Sequence, residues 1–124
     1  MSVHTKQVVR VNAAVELLAE HPVLKGMLAR VVNKYNMRPV DVLPKTRQPH
    51  VIDALHEFYY QALTETLASS TLLGELTARD HATVLYGSAR WAVLHGLKVP
   101  RGATGWKYIG KLLTREQRGQ ANGT

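Results

Sequence analysis

Cysteine is absent from these 124 residues, which excludes disulfide staples and thiolate-ligated metal centres and leaves the redox compartment open. Long apolar runs are missing too, so no stretch reaches the roughly 20 residues that a bilayer-spanning helix needs. The opening MSVHTKQVV lacks the pattern of a secretory leader, and a cytoplasmic protein with no membrane partner is the expectation. No glycine-rich turn between a strand and a helix occurs, so the usual nucleotide cradles are not expected. The six histidines, at 4, 21, 50, 56, 81 and 95, include no pair three or four apart, the spacing that sets two ligands on one helix face. No metal or other cofactor is therefore predicted. Acidic residues are scarce as well, 9 Asp and Glu against 16 Lys and Arg.

What is present is positive charge, unevenly placed. The chain carries +7 in all, yet residues 45–95 hold four basic and five acidic side chains. Residues 96–124 hold six basic against one acidic, and residues 1–44 six against three. Charge of this size suits a polyanion, and both basic ends are placed to hold backbone phosphates. Charge alone does not separate nucleic acid from an acidic protein or a membrane surface.

Apolar residues recur at helical spacing throughout, and no segment reads convincingly as a strand. Val8, Val11, Val15 and Leu18 predict a first helix over about 6–20. Pro22 begins a second, with Leu24, Leu28, Val31 and Tyr35 inward and Asn36 closing it. The short RPVDVL is expected as one turn holding Val40 and Leu43 on the core. A basic loop, PKTRQP, follows at 44–49. Ile52, Leu55, Tyr59 and Ala62 then mark a long helix, 50–68, placed at the centre of the bundle. Ser69 or Ser70 caps a short helix ending near Leu76. A longer one runs from about Asp80 to His95, burying Val84, Leu85, Ala89 and Leu94, and stops at Gly96. The prediction is an all-α small helical bundle over residues 1–96 containing a helix-turn-helix. Residues 97–124 form a basic C-terminal extension, in part disordered, with a short helix where Trp106, Ile109 and Leu113 dock together.

The stretch RDHATVL, residues 79–85, concentrates an arginine, a carboxylate, an imidazole and a hydroxyl. Acid–base catalysis is a poor fit, because Asp80 and His81 are adjacent and point about 100° apart on a helix. Reading of DNA fits better. A short helix, a tight turn and a second helix that opens on polar residues push that second helix into a major groove. There an aspartate accepts from a cytosine amine, a histidine or threonine bonds to several base edges, and the methyl groups of Ala82 and Thr83 suit a thymine methyl. Asp80 as a plain helix cap is the competing reading. Arg90 is placed equally well at the DNA backbone or in ordinary solvated surface, and Trp91 is expected in the core. Trp106 and Tyr108 interleave with Lys107 and Lys111. They either flank nucleic acid or pin the tail to the domain.

RDHATVLYGSARW resembles the signature of the C-terminal DNA-binding domain of the bacterial replication initiator DnaA, which reads approximately R-D-H-T-T-V-L-H-A. LARVVNKYNMRPVDVLPKTR is similar to that family's opening helix, short turn and basic loop, so the resemblance covers about residues 24–95. It implies a helical fold that binds double-stranded DNA sequence-specifically. Asp80, His81, Ala82 and Thr83 would stand at the base-reading positions, and Arg79, Lys45 and Arg47 at the backbone, joined by Arg90, Lys107 and Lys111. The departures are specific. Ala82 replaces a threonine, LLGELTA replaces the family's glycine-containing turn, and no Arg-Gln stands at Leu55–His56–Glu57, where the family sends an arginine into the minor groove. No ATPase module accompanies the motif. A stand-alone, nucleoid-associated transcription regulator, acting as an activator, is therefore expected rather than an initiator. More loosely, the chain is similar to small activators of gene transfer agent clusters and to some phage proteins. A second regulator or an RNA polymerase component is a further expected partner, and two copies on one DNA site are left open. The alternative is a protein-interaction module that keeps the fold; an enzyme is not expected.

Overall fold

The computed structural model describes residues 3–103. Residues 104–124 lie outside the described residues, and with them the predicted last helix, Trp106, Lys107, Tyr108 and Lys111. The described chain is helical: α1 (Val3–Glu20), α2 (Pro22–Asn33), a 3-10 turn (Pro39–Val42), α3 (Pro49–Glu65), α4 (Ser70–Leu76) and α5 (His81–Leu94). Among the described residues there is no strand, and no helix is long and apolar enough to cross a membrane.

Each boundary has a local cause. Pro22 and Pro49 stand in the first turns of α2 and α3, where their missing N–H is no loss. Asn36 closes the turn after α2 in the left-handed region, φ 61°, while the Met37 N–H donates to the Val32 carbonyl at 3.0 Å. Ser69 caps α4 by accepting from the Leu72 N–H at 3.1 Å. Gly96, at φ +65°, ends α5, and the Leu97 N–H donates back to the Ala92 carbonyl at 2.7 Å.

α3 is the hub. It buries Leu55, Phe58, Tyr59 and Ala62, and packs against α2, α4 and, most broadly, α5. Leu24, Leu28, Val31, Leu73, Leu76 and Val84 complete the core around it. Four inward assignments are corrected. Val8 and Val15 of α1 are exposed, at 45% and 47%, and the inward stripe is Val11, Ala14 and Leu18. The stripe is selected by where α1 packs against α2 and α4. Val40 faces out because the 3-10 turn sends Val42 and Leu43 inward. Leu94 lies at the last turn of α5, past the end of the core, and stays exposed.

One charged group is enclosed beside this hub. The Glu57 carboxylate is buried, pairs with Lys34, and accepts from the Tyr35 hydroxyl at 3.1 Å and the Gln61 amide at 3.3 Å. Burial, and then the bond to Glu57, push the Tyr35 phenol up to about 12. The ion pair thus ties the end of α2 to the middle of α3.

Candidate nucleic-acid interface

α4 and α5 are joined by four residues, Thr77–Asp80, and each has a separate structural task. Thr77 is fully buried; its hydroxyl donates to the Leu73 carbonyl at 2.8 Å and accepts from the Tyr59 hydroxyl, also at 2.8 Å. Burial raises the Tyr59 pKa, so this phenol keeps its proton and acts as the donor. Ala78 follows in the left-handed region at φ 56°, and the Arg79 N–H donates to the Gly74 carbonyl at 2.8 Å. Gly74 is needed for the approach of the two helices: a Cβ there would stand 2.5 Å from the Arg79 carbonyl oxygen.

Arg79 points into the protein. Its Nη1 donates to the carbonyls of Val42, Leu43 and Thr77 at 2.7, 2.9 and 2.7 Å, and its Nη2 to that of Pro44 at 3.1 Å. An arginine expected at a phosphate is here the bolt that fastens the basic loop to the turn. Three of the four acceptors, at Val42, Leu43 and Pro44, are carbonyls at or just past the end of the 3-10 turn, where helical partners are lacking, and the fourth, at Thr77, ends α4.

The first turn of α5 is open. Asp80, His81 and Thr83 are exposed and Ala82 is half-buried. Asp80 holds the cap position by its backbone, the carbonyl accepting from Thr83 at 3.0 Å. Its side chain makes no cap hydrogen bond and instead meets Arg10 of α1 at 3.5 Å. The plain-cap reading of the carboxylate is therefore not what the geometry provides. A pair this exposed stabilises by about 0–1 kcal/mol at most, so the carboxylate is free to exchange partners.

Beside this turn lies a cleft of about 560 Å³, walled by α3, α5, the basic loop and α1. Arg10, Lys45, Arg79 and Arg90 surround it, with Thr83 and Tyr86 on the α5 wall. The structure thus gathers Lys45, Arg79, Asp80, Thr83 and Arg90 around one concavity. His81 and Ala82 stand next to it on the outer side of α5, and Arg47 is exposed on the loop. Arg90 is half-buried, 3.4 Å from Asp53 and 3.4 Å from His56 Nδ1. Because a guanidinium only donates, Nδ1 accepts and the imidazole proton sits on Nε2.

Leu55 and His56, the two positions at which the resemblance would set a minor-groove arginine, are both buried rather than projecting. Gly87 makes room for the His56 ring, since a Cβ there would approach the ring carbon Cδ2 to 2.5 Å. Burial first, and then the Arg90 charge, depress its pKa to about 4. Trp91, expected in the core, is half-buried and packs on His95 with ring centres 3.9 Å apart. Comparisons with protein-family models, curated proteins and solved structures give no match. Arg10, Thr46 and Tyr86 are the site residues that sequence reasoning missed. Tyr86 is legible after the fact at three residues past Thr83 on the same helix, whereas nothing local marks Arg10, which lies in another helix.

Proposed function

We propose that the chain is a sequence-specific double-stranded DNA-binding regulator of transcription, of the DnaA-type helix-turn-helix kind. One observation carries the reading: the opening turn of α5 presents Asp80, His81 and Thr83 to solvent beside a cleft edged by Arg10 and Lys45. In that arrangement α5 enters the major groove. His81, Ala82 and Thr83 meet base edges, and Asp80 leaves Arg10 for a cytosine amine. Lys45 and Arg47 hold one backbone strand from the loop, with Arg10 released to the other side of the turn. Arg90, engaged with Asp53 and His56, is a lesser contact.

Selection from a random duplex library, at about 150 mM salt with competitor DNA, tests it, because generic phosphate binding weakens steeply at that salt. Enrichment of one motif is expected. On that motif His81→Ala costs about 1–3 kcal/mol and leaves non-specific binding unchanged. Absence of enrichment, or equal loss on both DNAs, removes the assignment.

A further inference from the structure

The other end of the molecule carries an apolar surface that the DNA reading does not use. Leu67, in the link between α3 and α4, is fully exposed, and Val23 at the start of α2 is 71% exposed. Leu67 separates two hollows. One, of about 410 Å³, is lined by Val23, Leu24, Leu67 and Leu72. The other, of about 450 Å³, is lined by Leu63, Leu67, Ala68 and Leu85, and its rim is formed by Arg101 and Gly102. The two share Thr66, Leu67 and Ala68 and so lie side by side, and the second, between the end of α3, the start of α4 and the side of α5, is the groove of interest. Among the described residues no acidic side chain lines this second hollow.

The path of the chain points to the occupant. After Gly96 the backbone turns back along α5, and Val99 and Ala103 pack against Leu85, Ala89 and Val93. The described chain therefore stops at Ala103, on the rim of the groove. The next residues are TGWKYIGKLL, in which Trp106, Ile109 and Leu113 follow at steps of three and four. Lys107, Lys111, Arg115 and Arg118 fall at steps of four, four and three, about opposite the apolar stripe at 100° per residue. Three extended residues span about 10 Å, enough to carry Trp106 from Ala103 across the rim. A segment tethered this closely acts at an effective concentration in the mM range, which favours it over a second copy.

We propose that residues 104–113 of this chain dock in the groove between the end of α3, the start of α4 and the side of α5, anchored by Trp106 and Ile109. Docking covers Leu67 and turns the basic residues of the segment outward. This inference does not depend on the DNA reading.

The test uses the full chain carrying Trp91→Phe, which leaves Trp106 as its only tryptophan. Trp106 emission is expected to be blue-shifted and acrylamide quenching about threefold weaker than for an exposed indole, both unchanged on dilution. Leu67→Glu, at a fully exposed position, should return both to exposed values. Exposed-type emission in the parent overturns the proposal, as does indifference to Leu67→Glu. A blue shift that vanishes on dilution also overturns it, because it identifies a second copy as the occupant. A second measurement needs no fluorescence. In this cysteine-free chain, Leu67→Cys with Ile109→Cys should oxidise to an intramolecular disulfide, and Val40→Cys with Ile109→Cys should not. Equal rates for the two pairs count against docking.

Discussion

Arg79 illustrates how far a residue's chemistry can be known while its use is not. Its place in a motif like that of DNA-reading helices suggests a phosphate ligand, but four carbonyls of this protein face its guanidinium. The two uses predict different losses. As an anchor, Arg79→Met should destabilise the fold by about 2–3 kcal/mol, since buried carbonyls lose charged donors. Urea unfolding reads that directly; an unchanged midpoint would return Arg79 to the phosphate. His56 gives a second prediction at this scale. Its pKa is depressed from 6.5 to about 4 by burial and by Arg90, so between those values the unfolded chain holds a proton that the folded chain lacks. Stability is then intact above about pH 6.5 and falls by about 3 kcal/mol as pH drops to about 4. His56→Gln should flatten that part of the stability profile, which unfolding at about pH 7 and about pH 5 will show.

Among the elements, the α4–turn–α5 unit depends on one close contact and one left-handed residue. Gly74→Ala pits helix propensity, a gain of about 1 kcal/mol, against a Cβ driven into the Arg79 carbonyl. Overpacking of that kind costs about 1–3 kcal/mol and should win, so a lower melting temperature is expected. Ala78→Gly should raise it slightly, because left-handed backbone costs alanine about 1–2 kcal/mol and glycine's extra unfolded entropy offsets only part. The helices themselves were legible: proline starts, the Ser69 cap and the Gly96 stop are short-range signals read within a few residues. The short turn between α4 and α5 and the opening of α5 were legible for the same reason. Facing was less so. Val8 and Val15 match the period of α1 as well as Ala14 does, and only the neighbours α2 and α4 decide between them. Arg10 and the buried His56 belong to that second class, being set by packing between elements distant in sequence.

For the whole molecule, the distribution of charge matters more than its sum. On the proposed DNA-binding reading, cations that reach solvent around the cleft are expected to release counterions on binding, and those engaged internally are not. Lys45→Ala should therefore lower the slope of log affinity against log salt by about 0.9 on every sequence. Arg79→Met should leave the slope alone wherever the variant is folded. Equal slopes for Lys45→Ala and the parent would detach the basic loop from the backbone. The bolt at Arg79 has a kinetic consequence as well. It joins Val42 to a residue 37 positions later, so the basic loop and the turn should not open one at a time. Their amides are expected to exchange with deuterium at one common rate, as a single unit drawn from two distant parts of the chain.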